Sequence, residues 1–305
     1  HDHLCDTTLC ANMVSYSSLG MSTFLLIGAV FNLTFLGRSI ADLKASSKLS
    51  SAMPAAPPAL ITTAIGELIW VLPCLIQCAN EFFNGQSVAP TRIGNTVGCN
   101  IQGFYSVFGS FSGMYSAMWL AILTWRAAKG KQALSRAQSA MASVLILLAA
   151  LVMALLPFGI GRFTSTGEGF CYADFHDKAL AAIMLVVTLG AMLPTIGLLA
   201  SLLVHGGWPV GDLWLMLLGF VSAWVLWPPA SIIGLSGSAF PQHYMISGGI
   251  LGHAQAIVNP IVYGLRWRST VVGAGAGAAP MSKMKPSDSV TGDLGATPEQ
   301  GAALA

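Results

Sequence analysis

Apolar residues run along this chain in long blocks. They do not show the strict alternation of a half-buried strand or the narrow stripe of a surface helix. Seven blocks stand out: Leu19 to Ile40, Ala59 to Phe83, Cys99 to Trp125, Ala140 to Ile160, Ala179 to Val204, Leu213 to Leu235 and Tyr244 to Leu265. Polar, Gly-rich or Pro-rich segments separate them. A helix needs roughly 20 apolar residues to cross a bilayer, and every block is long enough. The pattern therefore predicts an all-α chain, a bundle of seven transmembrane helices. Lys and Arg keep to block ends and connecting segments, and Glu67 is the only acid well inside a block. A charge at mid-bilayer costs at least ~2.5–3.5 kcal/mol, so a lipid environment accounts for this scarcity.

The 305 residues are 54% hydrophobic and 9% charged, with a mean hydropathy of +0.69. Soluble domains carry about 25% charged residues, so a water-soluble globule is excluded. Disorder of most of the chain is excluded too. A dispersed net charge of +2 offers nucleic acid no basic patch. The basic residues divide unevenly about the bundle. Arg38, Lys44, Lys48, Arg126, Lys129, Lys131, Arg136, Arg266, Arg268, Lys283 and Lys285 fall on one side, and only Arg92, Arg162 and Lys178 on the other. The richer side is cytoplasmic, which puts the N-terminus outside and the C-terminus in the cytoplasm. Three regions follow: an extracellular segment 1–18, a transmembrane domain 19–268 and a cytoplasmic tail 269–305. The tail is rich in Ala, Gly, Ser and Pro and reads as disordered; Ser282, Ser287, Ser289, Thr291 and Thr297 are candidate phosphorylation sites in it. The chain begins without Met or a signal pattern and reads as processed or truncated. The expected location is a membrane crossed many times, the plasma membrane first.

With that orientation Cys99 opens the third span on the outer side, and Cys171 lies in the outer loop between spans four and five. Both face an oxidising compartment, where disulfides persist. A Cys99–Cys171 bridge is expected to staple that loop over the mouth of the bundle. Cys5 and Cys10 either close a small loop or pair otherwise. Cys74 and Cys78 share a helix face and read as small apolar packing residues. The His residues are scattered, and no metal site is read.

Five local patterns then carry a resemblance. Asn32 stands in Gly28-Ala-Val-Phe-Asn32, and Glu67 in Ala64-Ile-Gly-Glu67-Leu68, ahead of Pro73. Span three opens Gly98-Cys99-Asn100-Ile101-Gln102-Gly103-Phe104. Span six holds Leu226-Trp227-Pro228-Pro229, and span seven ends Asn259-Pro260-Ile261-Val262-Tyr263. Together, in order and on the right spans, these resemble the rhodopsin-like G-protein-coupled receptors over roughly Leu19 to Arg268. The resemblance implies a receptor, not an enzyme, that passes the signal of an extracellular or membrane-borne small ligand to a heterotrimeric G protein.

The resemblance also implies roles. Asn32, Glu67 and Asn259 must point inward, because polar groups facing lipid go unsatisfied. They form either a static hydrogen-bonded tie or a sodium- or proton-linked switch, with Glu67 where the family usually has Asp. Pro229 and Pro260 remove backbone hydrogen bonds and mark, with Tyr263, the hinges of activation. Trp227 reads as the floor of an outward pocket or as a core aromatic. Helix phase places Gln102, Tyr105, Phe108, Trp224, Trp227 and His253 toward that pocket. Arg126 either replaces the arginine of the family's Asp-Arg-Tyr, which is absent from Leu123-Thr124-Trp125-Arg126, or is an ordinary cytoplasmic cation. The loop between spans five and six is short and carries no Lys or Arg, a second departure.

Two branches compete. Span three resembles the cyclic-AMP-receptor-like group. Gly167-Glu168-Gly169-Phe170-Cys171-Tyr172-Ala173-Asp174 and the stretch Gly252 to Pro260 resemble opsins. The opsin retinal lysine lies six residues before Asn259, where this chain has His253. Imidazole forms no Schiff base and no Lys lies inside a span, so covalent retinal is not expected. Gln102 would take the counterion position and is neutral. A retinoid held noncovalently, or a proton or ion channel or transporter using Glu67 and His253, are the competing readings.

Overall fold

The computed structural model describes residues 8–45, 48–84, 96–165, 171–238 and 244–276. Within them the chain is nearly all helix: α1 (Thr8–Lys44), α2 (Lys48–Ala52), α3 (Ala56–Asn84), α4 (Thr96–Ala128), α5 (Arg136–Ile160), α6 (Lys178–His205), α7 (Val210–Trp224), α8 (Trp227–Ser236), α9 (Tyr244–Asn259), a π-helical segment Pro260–Trp267, and α10 (Arg268–Ala276). Two three-residue strands, β1 (Phe163–Ser165) and β2 (Cys171–Ala173), pair antiparallel with Thr164 opposite Tyr172.

Local chemistry sets the boundaries. The Ser135 hydroxyl accepts from the Gln138 amide at 3.2 Å, while the Gln138 side chain accepts from the Ser135 amide at 2.9 Å. This reciprocal cap starts α5 where the amides would otherwise lack partners. Asp177 caps α6 by accepting from the Leu180 amide at 3.0 Å. Gly206 and Gly207 take φ of 71° and 99°, so the chain reverses in four residues between α6 and α7. At Gly207 a Cβ would stand 2.9 Å from the Ala128 carbonyl at the end of α4. The sixth apolar block splits because Pro228 and Pro229 bring no N–H to the turn after Trp224. The seventh splits because Pro260 ends α9.

Among the described residues, six helical stretches are long and apolar enough to cross a membrane: Leu19–Lys44, Ala56–Ile76, Val97–Ala128, Arg136–Ile160, Lys178–His205 and Val210–Ser236. The helix from Tyr244 is not among them as such, since its α-helical part stops after 16 residues at Pro260. The chain nevertheless stays helical to Ala276, so residues 269–276, which composition assigned to a disordered tail, continue the helix.

Side-chain polarity is inverted relative to a soluble protein. Val186, Leu193 and Met141 are each more than 60% exposed, while Asn32, Glu67, Ser112 and Gln255 are buried. Buried hydroxyls such as Thr63, Thr124 and Thr195 bond back to carbonyls one turn earlier, which satisfies them without water. Small residues set the closest approach, as in membrane bundles generally: a Cβ at Gly66 would overlap Ser112, and one at Gly109 would overlap Trp70.

Candidate functional site

Cys99 and Cys171 are disulfide-bonded, with Cα atoms 5.3 Å apart. The bond fixes β2 to the top of α4. Gln102, one turn further along α4, accepts from the Cys171 amide at 3.0 Å. The next residue, Tyr172, is thereby driven down into the bundle. Its hydroxyl meets Ser110 at 3.1 Å, and its ring lies 4.7 Å from Trp227 and 5.8 Å from Phe175. Burial pushes the Tyr172 phenol pKa above its ordinary value. Asp174 anchors the same loop through Arg162 and the His176 amide, both at 2.9 Å. Phe175 reaches α8 because Gly234 has no Cβ to exclude its carbonyl. Beneath these rings, between Met114, Met184, Trp224 and Trp227, about 10 Å³ of cavity is left. That is room for about one water.

Below lies an aromatic layer. Trp70 stacks on Trp224 at 6.2 Å and tilts against His253 at 4.5 Å. Gly252, where a Cβ would overlap the Trp70 ring, makes this contact feasible. His253 Nδ1–H donates to the Gly249 carbonyl at 2.7 Å, since a carbonyl oxygen only accepts.

The polar core comes next. Asn259 donates to Glu67 Oε1 at 2.8 Å. Asn32 donates to the Ala256 carbonyl, the one that Pro260, lacking an N–H, leaves without its usual helical donor. Asn32 and Glu67 thus grip the same turn of α9 from α1 and α3. Gln255 joins them: a Cβ at Gly113 would stand 3.1 Å from Glu67 Oε1 and 3.7 Å from Gln255 Oε1. Glu67 Oε2, Asn32 Oδ1, Ser116 Oγ and both Gln255 side-chain polar atoms have no partner among the described residues.

The other end is closed by tryptophans and ion pairs. Trp267 donates to Thr124 at 2.8 Å and stacks on Trp208 at 6.4 Å. Asp212, at the start of α7, accepts from Arg266 at 3.2 Å and from Thr270. Asp42 takes Arg268 in two bonds at 2.9 and 2.7 Å.

The sequence-based placements fare unevenly. Trp224 and Trp227 do line the cavity. Gln102, Tyr105, Phe108 and His253 do not: Gln102 holds the loop, Phe108 stacks on Phe104 at 6.3 Å, and His253 packs on Trp70. The face of α4 that lines the cavity carries Ser110, Phe111 and Met114, about half a turn from Tyr105. Arg126, in the last turn of α4, donates to the Gln132 carbonyl of the following loop at 3.0 Å. Pro229 sits in the first turn of α8, Pro260 opens the π-helical segment, and Tyr263 is buried. Cys74 is buried; the readings on Cys5, Cys10, the Cys78 side chain and the tail beyond 276 lie outside the described residues. Sequence reasoning missed Tyr172, Trp70, Gln255 and Asp212. Two had a signal: Tyr172 adjoins a bridged cysteine, and Asp212 is an acid on the basic side that needs a partner. Among the described residues no three His, Cys, Asp or Glu side chains could hold a metal ion.

No family model and no curated protein matches the chain. Its structure is similar to the crystal structure of squid rhodopsin, with a TM-score of 0.63 at 12% identity, over 86% of this chain and 85% of that one. The chain shares the helical fold of that rhodopsin.

Proposed function

We propose that this protein is a seven-helix receptor of the plasma membrane. Its N-terminal segment 1–18 lies outside, the helical run from Tyr244 to Leu265 is the seventh span of a domain 19–268, and the residues from 269 on are cytoplasmic. It couples an event at the outer loop to an opening at the inner face and hands it to a heterotrimeric G protein. One observation carries the reading: on a rhodopsin-like fold, Tyr172 of the outer hairpin rests on Trp227, directly beside the break at Pro228 and Pro229. An outer ligand that displaces Tyr172 moves the ring beside the weakest point of the sixth span. The inner end of that span is held by Asp212, and Trp208 lies against Trp267, so opening requires both contacts to part.

Either a proton or a cation must neutralise a buried carboxylate with one donor; we read Glu67, with Asn32 and Asn259, as a sodium- or proton-linked switch. A retinoid held noncovalently needs Tyr172 and Phe175 to leave first, because about 10 Å³ admits none. Guanine-nucleotide exchange on a panel of Gα subunits tests the proposal. Membranes carrying the wild-type chain are expected to exceed those carrying Trp227→Ala with Tyr263→Ala. Proton flux through vesicles holding the purified chain, abolished by Glu67→Gln and with no exchange on any subunit, would favour the channel or transporter reading instead.

A further inference from the structure

We propose that the groove between α1 and the π-helical segment binds one anionic phospholipid, with an acyl chain along the groove and the phosphate on Arg38. The groove measures about 210 Å³. One wall is Val30, Phe31 and Thr34, the floor is Phe35, and the other wall runs from Pro260 to Gly264. It exists because of two residues. Gly264 lets Phe35 lie so close that a Cβ would stand 3.0 Å from its ring. Pro260 presents a ring and no N–H. The Thr34 hydroxyl is bonded to the Val30 carbonyl at 2.9 Å, which leaves its methyl to the groove.

The space is many times the ~10–15 Å³ that one water needs, yet its walls offer water almost no hydrogen-bond partner. Hydrocarbon is the occupant such a surface favours. From Val30 to Arg38 is eight helical steps, about 12 Å of helix, so the slot is elongated along the bilayer normal as an acyl chain is. At one end stands the single charged group of the lining. Arg162, Arg266 and Arg268 each face a carboxylate. Arg38 is exposed and makes no ion pair among the described residues. A guanidinium matches a phosphate with two parallel hydrogen bonds. An apolar slot ending in an unpaired guanidinium is the complement of an anionic amphiphile. The inference rests on α1 lying in a bilayer and not on signalling, and its test needs no G protein, so the two readings fail separately.

The test is native mass spectrometry of the full chain in detergent, titrated with phosphatidylserine and with phosphatidylcholine of the same acyl chains. Wild type is expected to retain one phosphatidylserine about fivefold better than phosphatidylcholine, the weight of one basic side chain near an anionic lipid. Arg38→Gln is expected to erase that preference and keep the retention of phosphatidylcholine. Thr34→Trp, which fills the groove from its lipid-facing side, is expected to lose both lipids. Lys129→Gln, a loop cation away from the groove, is expected to leave the preference intact. Equal retention of both lipids by wild type overturns the proposal. So does a loss in Lys129→Gln as large as in Arg38→Gln, which would mean diffuse surface charge. Displacement of phosphatidylserine by inorganic phosphate alone overturns the acyl-chain half, and a dimer abolished by Thr34→Trp would assign the groove to a second copy.

Discussion

At the scale of single residues, Tyr172 does two jobs that substitution can separate. Its hydroxyl holds Ser110, and its ring fills the space over Trp227. Tyr172→Phe removes one hydrogen bond and is expected to cost about 0.5–1.5 kcal/mol. Tyr172→Ala empties a ring's volume and is expected to cost about 3–5 kcal/mol while opening a site for small apolar molecules. Thermal unfolding of both purified variants, with and without an aromatic probe, checks this; equal costs would show the ring to be idle. Glu67 offers a second separation. Glu67→Gln keeps an oxygen to accept from Asn259 and removes the charge. If Glu67 holds sodium, exchanging sodium for choline destabilises the wild type by about 1.4 kcal/mol at tenfold saturation, and leaves Glu67→Gln unmoved. A wild type indifferent to the cation demotes the cluster to a hydrogen-bonded tie.

At the scale of elements, prolines decide where helices hand their carbonyls to neighbours. Asn32 takes the Ala256 carbonyl that Pro260 cannot serve. Pro260→Ala restores the backbone donor, so the side-chain bond becomes redundant. Asn32→Ala is expected to cost about 0.6 kcal/mol, the mean for interhelical hydrogen bonds in a membrane, and less than half of that in the Pro260→Ala background. A double-mutant cycle on unfolding midpoints measures the difference, and additivity would show the two to be independent. Asp212 is the corresponding tie in the first turn of α7. Its partner Arg266 is 58% exposed, so solvent screening limits the pair to about 0.2–1 kcal/mol. Asp212→Asn should therefore raise basal nucleotide exchange by no more than about fivefold. A fall in exchange at equal surface expression would mean that Asp212 supports the open state.

At the scale of the molecule, the disulfide and the ion pairs of Asp42 and Asp212 hold opposite ends of one bundle. The Cys99–Cys171 bridge closes a long loop, with a sequence separation of 72, and such bridges contribute typically about 2–4 kcal/mol. Cys99→Ala and Cys171→Ala are each expected to lower surface expression, by similar amounts, and the double variant by no more than either. Surface labelling of intact cells reads this; a further loss in the double variant would mean that each cysteine acts alone. The ion pairs Asp42–Arg268 and Asp212–Arg266 pin the chain after Pro260 to α1 and α7. They also account for helix in 269–276, where Ala, Gly and Ser alone would not order the backbone.

By itself the sequence determined an all-α chain of long apolar helices, the cysteine pairing and the inward polar set. These follow from composition, from block length and from the rule that lipid tolerates no unsatisfied polar group. The tertiary structure alone decided which inward residue meets which. Tyr105 and Ser110 lie on one helix within the same block, yet only Ser110 reaches the cavity, because the direction of a face depends on where the neighbouring helices pack. His253 was legible as an inward polar residue, but its burial against Trp70 depends on glycines at 109 and 252 that read as nothing special along the chain. The filling of the space over Trp227 by Tyr172 and the groove beside Gly264 were equally hidden. Both are made by residues far apart in sequence, and periodicity reports only what one helix does alone.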